Sequence, residues 1–109
     1  MIKPVDVVVG PYRGIQGTKD RPAVVVSADR YHTTRPDIIV AVLTKQIAQA
    51  TGPTDYVLQD WAAAGLHVPS AFRSFLNTHV AHAWRVVGHL SDRDWQEVQA
   101  RLRLALAVT

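Results

Sequence analysis

Chemistry in this 109-residue chain is narrowed first by what it lacks. There is no cysteine, which removes a thiol nucleophile, a disulfide framework and any zinc site with sulfur ligands. Five histidines raise the question of another metal site. His79 and His82, however, are three apart in a stretch that reads as strand, where that spacing sends side chains to opposite faces. Packing or surface histidines are the better reading, and no metal is expected. Ser27, Ser70, Ser74 and Ser91 have no Gly-x-Ser-x-Gly around them. Gly10-x-x-x-Gly14-x-x-Gly17 is neither a Walker loop nor a dinucleotide fingerprint, so no cofactor is expected either. Asp92 and Asp94 open a helix, where the dipole and capping account for them, and Glu97 falls on that helix's polar side. What remains is Lys19-Asp20-Arg21, then Ser27, then Thr44-Lys45-Gln46. An arginine stays protonated and offers a rigid five-donor fork that suits phosphate oxygens; a strand-end threonine adds a hydroxyl. If their strands are neighbours, Arg21 and Thr44 would meet over one phosphate. From the residues alone, a surface ion pair and an ordinary strand-end threonine account for the pattern more simply.

The elements that must position these groups are short. Val5 to Val9 is a valine-rich first strand closed by a turn at Gly10-Pro11. Residues 10–20 hold three glycines and a proline, and read as a loop able to span a hairpin or act as a lid. Arg21–Ser27 is a second strand, with Pro22 suited to a strand start or edge. Residues 28–36 read as a polar loop. Asp37–Thr44 is the strongest strand, apolar enough to be buried on both faces. A short strand is expected at Thr54–Leu58, one or two helical turns at 60–64 ended by Gly65, and two strands at 68–76 and 78–87. The last element is an amphipathic helix. Ser91 is its N-cap, Leu90 staples against Trp95, and Trp95, Val98, Leu102, Ala105 and Leu106 form its apolar stripe. Strands followed by one helix imply a small twisted sheet or partial barrel capped by that helix. The length allows one domain, residues 1–109. With 48% hydrophobic and 19% charged residues, the composition is that of a folded chain. No apolar run approaches the roughly 20 residues of a membrane span. The opening Met1-Ile2-Lys3-Pro4 is no signal peptide, so a cytoplasmic protein is expected. The net charge of +3 lies wholly in residues 1–53, so an anionic partner would be met there; solubility explains such a small excess equally well.

Taken in order, Asp6 after the opening strand residue, Lys19-Asp20-Arg21-Pro22-Ala23-Val24-Val25-Val26-Ser27, Ile39–Thr44 with Gln46 following, and Gly88-His89-Leu90-Ser91 before the closing helix resemble the MazF/PemK family of toxins from type II toxin–antitoxin systems. The resemblance spans nearly the whole chain. It implies an α+β, mainly β fold: an SH3-like small barrel of antiparallel strands with a C-terminal amphipathic helix, working as a homodimer. It also implies a metal-independent, sequence-specific endoribonuclease acting on single-stranded RNA, in which the ribose 2′-hydroxyl attacks the adjacent phosphate to give a 2′,3′-cyclic phosphate and a 5′-hydroxyl. Arg21 and Thr44 stand where the family's catalytic arginine and threonine do. Lys19, Ser27, Lys45 and Gln46 would bind the RNA around them, and Arg13 on the glycine-rich loop would grip flanking phosphates. The chain departs from the family at Phe75-Leu76, apolar where many relatives are acidic and then glutamine.

The resemblance implies a partner as well, a cognate antitoxin whose acidic disordered tail folds across the basic groove. Tyr12, Tyr31, Phe75 and Trp61 are the side chains available to receive it, with a core role for Trp61 equally open. An alternative from another class is a non-catalytic toxin-fold protein that acts by binding gyrase or an antitoxin. Gyrase-poisoning relatives bind through an aromatic tail, and Leu104-Ala105-Leu106-Ala107-Val108-Thr109 has none.

Overall fold

A computed structural model describes residues 1–15 and 17–108. Six antiparallel strands form one curled half-barrel sheet in the order β4-β5-β3-β2-β1-β6. In chain order the elements are β1 (Asp6–Gly14), β2 (Gly17–Val25), α1 (Asp29–Thr34), β3 (Asp37–Thr44), β4 (Tyr56–Val57), β5 (Ala71–Val80), β6 (Arg85–His89) and α2 (Asp92–Ala105), with single 3-10 turns at Ile47–Gln49 and Ala81–Ala83. This is the mainly-β α+β fold that the sequence led us to expect. Among the described residues, no helix is long and apolar enough to cross a membrane.

The sheet is organised by side-chain alternation around β3, whose residues Ile38 and Val40–Leu43 are buried as its apolar run requires. One face carries Val7, Val24, Ala41, Leu43 and Phe72, and packs with Leu58, Leu66, Leu90 and Val98 of α2. The other, inner face carries Val8, Ala23, Val25, Ile38 and Val40 around Trp84. Gly10 makes that second cluster possible: a Cβ there would lie 2.3 Å from the Trp84 ring, so only glycine lets the indole rest on β1.

Several boundaries differ from the sequence reading, each for a physical reason. The expected loop at 10–20 is mostly strand, since β1 and β2 continue as a hairpin to the pair Gly14↔Gly17. Cross-strand hydrogen bonding carries the ladder through Pro11 and the glycines. Pro22 lies just beyond the β2–β3 ladder, which begins at Ala23↔Val42, so only β1 flanks it and its missing amide hydrogen is tolerated. Residues 29–34 form α1 rather than loop, held from outside itself: the Tyr31 hydroxyl donates to Asp37 at 2.6 Å, and the His32 ring meets the Ser27 hydroxyl. Residues 61–65 make a tight turn ending at Gly65 (φ 88°), not a helix. The two strands expected at 68–76 and 78–87 divide elsewhere: β5 runs unbroken through residue 77 to Val80, because β3 pairs with it as far as Asp37↔Val80, and the break falls at the turn 81–83 before β6. Between the pairs Ala41↔Leu76 and Leu43↔Phe72, β5 bulges, and Ser74 there takes a left-handed φ of 60°.

Helix α2 begins as expected, with the Ser91 hydroxyl accepting from the Asp94 amide at 3.3 Å and Trp95 packed against the core cluster that contains Leu90. Its apolar stripe stops at Leu102; Ala105 and Leu106 are exposed. Asp94 does more than serve the dipole. Its carboxylate is fully buried and accepts from the Tyr56 hydroxyl (2.6 Å), the Gln59 amide (3.1 Å) and the Asp60 amide (2.8 Å), clamping the segment after β4 onto α2. Beside it, Arg93 and the Ser91 hydroxyl both donate to Asp60, which holds its carboxyl down at about 2.

Candidate nucleic-acid interface

The inner face of the β1–β2 hairpin carries the site. Gly10 is paired with Arg21 and Tyr12 with Lys19, and alternation sets all four on the same face as Trp84. The β2–β3 ladder ends at Ala23↔Val42, and Arg21 and Thr44 each lie two residues beyond that pair, on the same face of their strands as Ala23 and Val42. The two strands on which the proposed pair stands are neighbours, and both residues face the same side of the sheet. Arg21 is exposed, its guanidinium 5.9 Å from the Tyr12 ring centre. Among the described residues it has no carboxylate partner, because the adjacent Asp20 faces Arg85 at 3.9 Å. Thr44 is half-buried, and its hydroxyl accepts the Gln46 amide at 3.1 Å, leaving the hydroxyl hydrogen free to donate. Lys45 and Gln46 follow it, both exposed. A shallow cavity of about 290 Å³ adjoins Arg21, lined by Tyr12, Gly14, Ile15, Gly17, Lys19 and Arg21.

Two of the expected RNA-binding residues lie elsewhere. Ser27 is at the other end of β2, beyond its last residue, and only 4% exposed. Its hydroxyl accepts the Ile39 amide at 3.0 Å and meets the His32 ring, so it ties α1 to β3 and presents nothing to a ligand. Arg13, paired with Thr18, alternates to the face of the hairpin opposite Tyr12 and Arg21. Phe75 sits in the β5 bulge, 54% exposed with the Arg73 guanidinium 5.3 Å from its ring centre, whereas Leu76 packs against the α2-side core.

An aromatic group that local sequence reasoning missed lies next to Arg21. His79 on β5 stands edge-on to Tyr12 with ring centres 6.3 Å apart, and its ring centre is 4.8 Å from that of Trp84. Curling of the sheet brings β5 back to β1 across two intervening strands, and no short-range spacing signals such a contact. Burial pushes the His79 imidazole below its usual range, so it is neutral at pH 7. Trp61, offered as an exposed aromatic or a core residue, packs against the core. Among the described residues, no three histidine or acidic side chains converge as metal ligands would. The hairpin face can hold an anion at the guanidinium fork of Arg21, flanked by Lys19 and the Tyr12 ring.

A protein-family model described as PemK-like, MazF-like toxin of type II toxin–antitoxin systems matches residues 3–106. No curated protein sequence is significantly similar to the chain. Among solved structures, an endoribonuclease in complex with its cognate antitoxin from a mycobacterial species superposes with a TM-score of 0.80 at 15% identity, covering 100% of this chain and 98% of that one. MazE–MazF from Deinococcus radiodurans gives a TM-score of 0.73 at 16% identity, over 99% and 97% of the two chains. The Mycobacterium tuberculosis toxin MazF-mt6 gives 0.76 at 16% identity, over 95% and 98%. At these identities the likeness is one of fold.

Proposed function

The chain belongs to the PemK-like, MazF-like family of type II toxin–antitoxin toxins, and from that premise we propose that it is an endoribonuclease cutting single-stranded RNA without a metal. The observation that supports this reading is that Arg21 and Thr44 stand on one face of the neighbouring strands β2 and β3, each two residues beyond the pair Ala23↔Val42, with Lys19 on the same face. The nucleophile is supplied by the RNA: the ribose 2′-hydroxyl gives its proton to water as its oxygen attacks the adjacent phosphorus, the bond to the 5′-oxygen breaks and that oxygen takes up a proton, and the products are a 2′,3′-cyclic phosphate and a 5′-hydroxyl. The protein has to stabilise charge, align the three atoms and let protons move. Arg21 neutralises the extra charge on the phosphorane-like transition state and donates toward the departing 5′-oxygen; a guanidinium has donors only and no acceptor, which suits it to this role and not to that of a base. Thr44 hydrogen-bonds the phosphate and keeps the 2′-hydroxyl in line. Lys19, Lys45 and Gln46 bind the neighbouring backbone, and DNA, lacking the 2′-hydroxyl, is not cut.

Family membership supports a cognate antitoxin as partner, and solved relatives of this fold include complexes with one. An acidic antitoxin segment over the hairpin face would oppose Lys19 and Arg21 and block the RNA. A homodimer and a cytoplasmic location, where the RNA is, complete the reading. The test is incubation of purified protein with a long single-stranded RNA in excess EDTA, beside Arg21→Ala and Thr44→Ala. Discrete fragments with cyclic phosphate ends, abolished in both variants, are expected. Intact RNA with folded wild-type protein refutes the ribonuclease reading.

A further inference from the structure

We propose that the corner made by Tyr12 and His79 is a stacking subsite for one unpaired nucleobase of the RNA, that of a nucleotide adjoining the phosphate at Arg21, and that it selects the base there. The proposal rests on the ribonuclease reading for its substrate and goes beyond it in assigning a base to these two rings. Three aromatic rings descend from the surface into the core. Trp84, 5% exposed, lies against the backbone of Gly10 and is fixed by it. His79 packs on Trp84 at an interplanar angle of 44°, and Tyr12 meets His79 at 64°. Tyr12 and His79 keep part of their surface open. The His79 Nε2 is buried with no hydrogen-bond partner, so the ring is seated by its aromatic neighbours rather than by polar contacts. Being neutral, it offers a π-face in a region otherwise cationic.

The surroundings suit a nucleotide better than another apolar ligand. Lys19, cross-strand from Tyr12, and Arg21, beside the Tyr12 ring, supply positive charge for phosphates on either side of a stacked base. The adjoining cavity of about 290 Å³ is open on the same face. Rings held rigidly by the core keep their geometry when a base arrives, which lowers the ordering cost of binding.

The experiment compares wild type, His79→Asn and His79→Phe on a randomised single-stranded RNA pool, reading fragment ends by sequencing and checking folding by circular dichroism. In parallel, affinity is measured for a 2′-O-methyl oligonucleotide of the preferred sequence (or of mixed sequence if nothing is cut), which binds without being cut. His79→Asn is expected to flatten the base preference at one position beside the cut and to weaken binding about tenfold, as loss of a base–aromatic stack does; His79→Phe restores both. A role in packing alone predicts unchanged preference in every folded variant. If His79→Asn does not fold, Tyr12→Leu against Tyr12→Phe makes the same comparison from the other ring. Equal preference and affinity in the ring-lacking and ring-retaining variants overturns the proposal. If wild type cuts nothing while binding still needs a ring, the ribonuclease reading falls and the subsite stands.

Discussion

Replacing Asp94 with alanine tests how far one buried carboxylate holds this fold together. Its two oxygens take three donors, the Tyr56 hydroxyl and the amides of Gln59 and Asp60, and the side chain is fully buried. A hydrogen bond to a charged group contributes about 1.5–3 kcal/mol, and a buried donor left unpaired costs about 1–3 kcal/mol. Tyr56 and Asp60 are only half-buried, so water replaces part of what is lost, and the net cost should be about 3–4 kcal/mol. Against the 5–15 kcal/mol typical of a domain, that is a large share, equivalent to a melting point lower by about 15 °C or more. Tyr56→Phe removes one donor and leaves two, so it should cost about 1 kcal/mol. Urea unfolding is the assay: the midpoint should fall for both variants while the slope stays constant. If Asp94→Ala loses less than about 1 kcal/mol, or Tyr56→Phe loses as much as Asp94→Ala, the clamp is not what joins α2 to the sheet.

Other consequences can be checked directly. The folded Asp60 carboxyl sits at about 2 beside Arg93 and Ser91, below its unfolded value of roughly 4. The stability it contributes is full above the unfolded value and lost as pH falls through that interval toward 2. Melting temperatures measured from pH 5 to pH 2 should therefore drop less steeply for Asp60→Asn than for wild type. Gly10→Ala places a methyl group inside the Trp84 ring, and should cost about 1–3 kcal/mol in urea unfolding, with a red-shifted tryptophan emission. Ser27→Ala leaves the Ile39 amide without its partner and should cost about 1–2 kcal/mol, yet cleavage per folded molecule should match wild type. A loss of cleavage on that substitution would put Ser27 in the RNA site after all.

What the sequence shows well is what neighbours along the chain decide. β3 is legible because both its faces are buried, and the start of α2 because Ser91, Leu90 and Trp95 sit within one turn of each other. The sequence reading also singles out Arg21 and Thr44, through residue type and resemblance, although only the topology shows that their strands are neighbours. It misses what distant residues decide. DRYHTT has no apolar periodicity and becomes helical through Asp37 and Ser27. Glycine and proline in β1 read locally as a turn, but β2 supplies the hydrogen bonds that keep the strand going to Gly14. Asp94 looks like a helix-start acid because its three donors lie 34 to 38 residues earlier. The Tyr12–His79 contact joins β1 to β5 only because the sheet curls.

The pairing of β1 with β6 bears on when this protein can begin to act. Asp6 pairs with His89, so the first strand made waits for almost the last residues before α2. At about 5–20 residues per second, that interval is roughly 4–17 s of synthesis. Until then β1 has only β2 beside it, and the Leu90 and Val98 side chains that cover Val7 do not yet exist. A nascent chain therefore has the Arg21 hairpin but not the finished sheet that holds it, and closure of long-range β pairing is slow once the chain is complete. Completion of the sheet is therefore an event that follows synthesis of nearly the whole chain, a delay written into the strand order itself.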